Sequence, residues 1–149
     1  MFLDVDLYKE IVKSVPIVCV DMLLTSDTYN GYLLVKRTQE PMKGWKWPPG
    51  GRKFINEHFV ESALRISQSE LGLGKKDLDI SNEIAGLYCD TFTQSSFGVH
   101  IYETYSIVVR GKIMTENLKL IKTNETIESF SFETNLPERF ASKTVWCKR

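Results

Sequence analysis

Apolar and polar residues change their spacing along the chain, and each change marks an element. Leu7, Tyr8, Ile11 and Val12 share one face at helical spacing, which predicts a first helix to about Ser14. Asp4 or Asp6 can cap it, and Pro16 stops it. Ile17 to Leu24 is an apolar, β-branched run interrupted by Asp21, and it reads as a buried strand. Asn30-Gly31 signals a turn, and Tyr32 to Lys36 a second strand. Residues 38–52, TQEPMKGWKWPPGGR, carry three prolines and three glycines and read as loop. Glu57 to Leu71 has no proline or glycine and keeps a helical period, with Gly72 placed as its C-terminal cap. Ile84 to Phe92, His100 to Val109 and Thr126 to Phe132 are further strand candidates. Thr134 to Ala141 suits a short helix capped by Thr134, with Pro137 in its first turn. This mixed order predicts an α+β fold, an α/β/α sandwich around a mixed sheet. No repeat or linker divides the chain, so residues 1–149 read as one domain.

Composition narrows the function. The 19 Lys and Arg balance 19 Asp and Glu, which argues against a protein that works by gripping long nucleic acid. A small anionic ligand is still allowed, since it needs only a few placed cations. No apolar run approaches the roughly 18 residues of a membrane span. The start, MFLDVDLYKE, lacks the pattern of a secretory signal, so a cytoplasmic location is expected. Cys19, Cys89 and Cys147 are far apart, and His58 and His100 are the two histidines. That set fits neither a disulfide framework nor a zinc site. A metal here is expected to be a hard ion held by oxygen.

One carboxylate conflicts with its surroundings. Phe59, Ala63, Ile66 and Glu70 form one stripe of the central helix, so Glu70 ends an otherwise apolar face. A buried carboxylate is costly without a partner, and the last turn of a helix disfavours negative charge. A divalent cation would resolve both conflicts; a salt bridge to Lys75, or snorkelling to solvent, is the alternative. On the other side of the helix, Glu61 and Arg65 are spaced as an i,i+4 pair, and Glu57 suits the positive end of the helix dipole.

Pro48-Pro49-Gly50-Gly51-Arg52 precedes that helix. Glycines there permit close backbone approach to a ligand, and a carbonyl can serve a hard cation; a simple turn is the alternative. Arg37 and Arg52 flank the segment and can clamp a diphosphate, although lone arginines are also common on surfaces. Trp45 and Trp47 can stack on a base or anchor a core.

Together these residues carry a family pattern. GRKFINEHFVESALRISQSELGL, residues 51–73, resembles the Nudix box G-x5-E-x7-R-E-U-x-E-E-x-G-U. Gly51, Glu57, Arg65, Glu70, Gly72 and Leu73 match. Ile66 and Ser69 replace two acidic positions. This depleted box resembles the GDP-mannose mannosyl hydrolase subfamily, as do the starting Met1-Phe2-Leu3, Pro16, Asp21, Lys36-Arg37-Thr38 and Pro49-Gly50-Gly51-Arg52.

The resemblance implies the Nudix fold and a homodimer. It implies an Mg2+-dependent hydrolase (Mn2+ also serving) of a nucleotide sugar, GDP-mannose or GDP-hexose, acting by substitution at the anomeric carbon. It implies the Gly50 carbonyl and Glu70 as metal ligands. Arg37 and Arg52 would stabilise the leaving diphosphate, and Asp21 and Tyr105 would shape the substrate site. The subfamily's Gln ligand and His base fall on Thr126 and Ile127, within the stretch Asn124 to Phe130. Isoleucine cannot accept a proton. Glu125 or Glu128 can substitute as base, with Glu103 and His100 as further candidates on opposite faces of a strand. Attack at phosphorus is disfavoured, because the acidic residues that carry its metals are missing. The alternative to a hydrolase is a Nudix-fold module that binds a nucleotide sugar with little turnover.

Overall fold

The computed structural model describes residues 3–115 and 125–148; of the positions named above, Met1, Phe2 and Asn124 lie outside them. The elements run α1 (Val5–Ser14), β1 (Ile17–Ser26), β2 (Tyr32–Arg37), β3 (Lys46–Trp47), β4 (Gly50–Arg52) and α2 (Phe59–Leu71). They continue with β5 (Leu78–Phe92), β6 (Tyr102–Ile113), β7 (Ile127–Glu133), α3 (Glu138–Lys143) and β8 (Thr144–Trp146). Among the described residues no helix is long and apolar enough to cross a membrane.

Two sheets form. One is ordered β4-β1-β6-β5-β8, and the other β3-β2-β7. The larger sheet is mixed, because β1 and β6 run parallel while its other pairs are antiparallel. Period-2 alternation splits β1 between two cores. Val20, Met22 and Leu24 join Ala63, Ile66 and Leu71 of α2 in one. Ile17 and Leu23 join Val12 of α1, Tyr88 and Phe140 of α3 in the other. The expected α+β arrangement with a mixed central sheet is the one observed.

Local chemistry sets the boundaries. Asp4 caps α1, accepting from the N–H groups of Asp6 at 3.0 Å and Leu7 at 3.2 Å. Gly72 closes α2 in the left-handed region at φ 70°, as its position suggested. The start of α2 is later than expected. His58 is its cap, and Glu61 reaches back to the His58 N–H at 2.7 Å. Glu61 is therefore spent on capping and does not pair with Arg65. Glu57 lies before the helix and takes that arginine instead.

Other boundaries also move. Residues 38–52 are not all loop: β3 and β4 pair with β2 and β1 on either side of Pro48-Pro49, and both are edge strands, where the glycines of β4 are tolerated. β5 starts at Leu78, its polar beginning held to β6 across register shifts between Ile80 and Gly86. His100 is exposed in the loop before β6. The last helix starts at Glu138 after an extended Pro137, because β7 stays paired with β2 as far as Glu133. Strand β8, which carries no strong sequence signal, then pairs with β5.

A buried ionic knot holds α3 to the sheet. The fully buried Asp90 carboxylate accepts from Arg139 Nε at 2.7 Å, from Lys143 Nζ and from the Tyr88 hydroxyl. Burial would raise its pKa, but these donors outweigh that and hold it down at about 2. Asp90→Asn is expected to destabilise the fold by about 3 kcal/mol, as for a broken buried pair. Because the native pKa lies below the unfolded one, this contribution is complete above the ordinary aspartate range and is lost as pH falls through about 2. Urea melts and an acid titration of circular dichroism check both. Ser67 gives the opposite expectation. Its hydroxyl is fully buried in α2 and lacks a hydrogen-bond partner. Ser67→Ala should stabilise by about 1 kcal/mol, raising Tm by roughly 3 °C for a chain of this size.

Candidate active site

A cleft of about 290 Å³ opens between the two sheets and collects residues from α1, β1, β2, β4, α2 and β6. Its geometry starts at the pairing of β4 with β1. Met22 N–H donates to the Pro49 carbonyl at 2.8 Å, and Lys53 N–H donates to that of Val18 at 2.9 Å. Gly50 stands opposite Asp21 between these bonds. In an antiparallel ladder such a position turns its own N–H and C=O away from the partner strand. The Gly50 N–H accordingly donates to the Glu70 carboxylate, brought there by the last turn of α2. The Gly50 carbonyl faces the same way. A Cβ on Gly50 would fall 1.9 Å from Asp21 Oδ1 and 2.7 Å from the Val20 carbonyl, so only glycine fits.

Two carboxylates thus meet one backbone residue. Asp21 is 6% exposed. Burial raises its pKa to about 6, against the lowering effects of the Ser106 hydroxyl and the Arg37 charge. Burial likewise raises Glu70 to about 7; Arg37 lowers it, Asp21 adds to the rise, and the Gly50 bond lowers it. Arg37 is the cation that acts on both, its Nε anchored to the Pro41 carbonyl at 2.7 Å. Cys19, two residues from Asp21 on the same strand face, is pushed up to about 12, chiefly by burial and then by Asp21.

Arg52 lies further along the cleft. Its guanidinium is 5.0 Å from the centre of the Tyr8 ring and 5.3 Å from that of Phe54. Tyr8 packs edge-on to Phe97, which adjoins Tyr102. All three rings line the cleft and give it an aromatic wall. Behind Arg52, the Arg65 Nε donates to Glu57 at 2.6 Å, and Arg65 Nη2 donates to the Arg52 carbonyl at 2.8 Å. Glu57 also accepts from Ser62 Oγ at 2.6 Å and Phe54 N–H at 3.1 Å. The Arg65 bonds, with the others adding, lower Glu57 to about 2. Glu57 and Arg65 therefore staple the glycine strand to α2 rather than face the cleft.

The structure gathers Asp21, Arg37, Gly50, Arg52 and Glu70 around one cleft, which Thr126 and the buried Ile127 also line. It does not bring Tyr105, Glu125 or Glu128 there. Thr104 and Ser106 of β6 line the cleft, so Tyr105 between them faces the other side of the sheet, 37% exposed. Glu103 is exposed on that same far face. Glu128 is exposed and paired with Lys36 at 3.1 Å. Glu125 is exposed, and it is its backbone carbonyl that accepts from Thr38 Oγ1. Trp47 belongs to the core, edge-on to Tyr88 and Phe140, and also lines the cleft, while Trp45 is 52% exposed outside it. Cys19, Glu40, Tyr102 and Ser106 line the cleft without a sequence signal that singles them out; only Cys19 could have been read, from its i−2 relation to Asp21.

The donor set around Gly50 consists of oxygens: two carboxylates and a main-chain carbonyl. That chemistry, in a corner too close for any Cβ, fits a hard divalent cation.

No family model matches the chain. A curated relative, the low-salt glycan biosynthesis protein Agl8 of Haloferax volcanii, is 37% identical over 68 residues, which are 46% of this chain and 42% of the relative. The match thus spans less than half of either protein. Among solved structures, the MutT protein of Methanosarcina mazei Go1 superposes with a TM-score of 0.64 at 21% identity, over 87% of this chain and 91% of that one. The NUDIX domain of Shewanella oneidensis NrtR, solved with ADP ribose, superposes with a TM-score of 0.54 at 14% identity, over 80% of this chain and 73% of that one. The chain has the fold of the Nudix hydrolases.

Proposed function

We propose that this protein is a divalent-metal-dependent hydrolase of a nucleoside diphosphate sugar, GDP-mannose or a related GDP-hexose, which releases GDP and free sugar by substitution at the anomeric carbon. The observation that carries this reading is the convergence of Glu70, the Gly50 backbone and Arg37 in one corner of an aromatic-walled cleft. Mg2+ is the metal of the reading, with Mn2+ as a substitute. Glu70 and the Gly50 carbonyl would hold it, and it would supply positive charge to the diphosphate as that group leaves. Arg37 and Arg52 extend the positive field along the same wall and would receive the charge that grows on the bridging oxygen. Tyr8, Phe97 and Tyr102 offer flat apolar faces for a base or sugar ring. The glycan-biosynthesis name of the curated relative and the ADP ribose of the NrtR domain are in keeping with a sugar-linked nucleotide. The protein is taken as a cytoplasmic homodimer in this reading.

The base is the point at which a second reading gains support. Thr126 and Ile127 stand at the cleft where the subfamily pattern has Gln and His, and neither can take a proton from water. Among the described residues, the cleft carboxylates are Asp21, Glu40 and Glu70. In the hydrolase reading water is activated by Glu40, on the loop after β2, because the other two meet at Gly50. In the second reading the chain binds the nucleotide sugar with little turnover.

The test is incubation with Mg2+ and a panel of nucleotide sugars, with NMR of the products. Free nucleoside diphosphate and an inverted sugar are expected. Release of a sugar phosphate would overturn substitution at carbon, and calorimetric binding without product would establish the binding module. In the hydrolase reading, Glu70→Gln and Arg37→Ala should each lower Mg2+-dependent turnover by about a hundredfold or more, the scale of a lost charge-stabilising group. Glu40→Gln should remove turnover while leaving nucleotide binding intact.

A further inference from the structure

The helix that carries Glu70 offers the metal corner little else. Ile66 is 3% exposed and packs under Gly51, where a Cβ would meet its Cγ1 at 3.4 Å. Ser69 is exposed, and its hydroxyl donates to the Ile66 carbonyl at 3.0 Å. Neither position places an acidic oxygen beside Gly50.

The second carboxylate in that corner comes from a different element. Asp21, on β1, presses its Oδ1 against the Gly50 backbone and acts electrostatically on Glu70. The Ser106 hydroxyl of β6 holds its orientation. Two carboxylates enclosed against one glycine repel each other, and Arg37 brings a single positive charge to the pair. A shared divalent cation relieves that repulsion. Hard cations of this size take carboxylate and main-chain carbonyl oxygens together, and the Gly50 carbonyl is turned to the same side.

We propose that Asp21 is itself a ligand of the divalent cation, so that the metal is held between strand β1 and helix α2 rather than by helix carboxylates alone. The inference rests on the reading that the cleft takes a divalent metal, and it adds a donor to which the family resemblance assigns a substrate role. It makes the metal a cross-link between two elements of different sequence regions. Metal binding should therefore raise the melting temperature of the protein, in line with mass action on the folded state.

The experiment is a titration of the metal-free protein with Mn2+, read by the electron paramagnetic resonance of free Mn2+, with thermal melts alongside. Wild type is expected to bind, and Glu70→Gln and Asp21→Asn each to weaken binding by at least about tenfold, the scale of losing even an outer partner of a metal ligand. The wild-type chain labelled with carboxyl-13C aspartate provides a measurement that does not depend on a variant folding. Electron–nuclear double resonance of its Mn2+ complex should show coupling to a directly bound carboxylate, since among the described residues Asp21 is the aspartate that lines the cleft. Absence of that coupling, or an Asp21→Asn variant that folds and binds Mn2+ like wild type while Glu70→Gln does not, would overturn the inference and leave the metal reading standing. Failure of wild type to bind Mn2+ at all would overturn the metal reading itself, and the inference with it.

Discussion

The contact between Asp21 and Gly50 sets the geometry on which the rest of the cleft depends. A side chain at residue 50 would overlap Asp21 Oδ1, so β4 can lie this close to β1 only with glycine there. The close approach in turn brings the outward-facing N–H of Gly50 within reach of Glu70. Three elements separated in sequence therefore meet at one backbone residue that has no side chain of its own. Their meeting also creates the electrostatic tension of the site, since both carboxylates lose water there and share the Arg37 charge.

Charged residues nearby divide into two kinds by what they touch. Glu57 and Arg65 satisfy each other and the backbone around Phe54 and Arg52, which fastens the glycine strand to the helix. Their charges are consumed in that fastening, and Glu57 is acidified by it. Asp21, Glu70, Arg37 and Arg52 instead face the cleft. The Asp90 knot plays a comparable role, since Arg139 and Lys143 tie α3 to β5 beside Tyr88, which lines the cleft. Fixed walls of this kind let a binding corner keep its shape, because the supporting residues are locked by their own bonds.

Much of this organisation was legible in the chain itself. The helical stripe ending in Glu70 identified the one carboxylate out of place on α2, and the double glycine marked the point of close approach. The cap at Asp4 and the stop at Gly72 followed from local chemistry, because the groups involved lie within a few residues of each other. The spacing of Glu61 and Arg65 misled for the same reason that spacing usually informs: it is a local rule. Glu61 had a nearer use at the helix cap, and Arg65 had a better partner eight residues away. Glu125 and Glu128 were reached by alignment along the chain, which does not register that Glu125, in the turn before β7, and Glu128, on β7, are both exposed outside the cleft.

Local order was enough to place the longer helices and strands, the glycine corner, the arginines and the special character of Glu70. These are consequences of periodicity and of single-residue chemistry, both written in local order. It took strand pairing and packing for Asp21 to share Gly50 with Glu70, for Ser106 to hold it, for Tyr105 to face away, and for Glu57 to belong to Arg65. Those outcomes turn on strand register and on the parallel pairing of β1 with β6, which joins residues some ninety positions apart. Register inverts the face of every side chain when it shifts by one residue, so the apolar pattern constrains it only once the strands are paired.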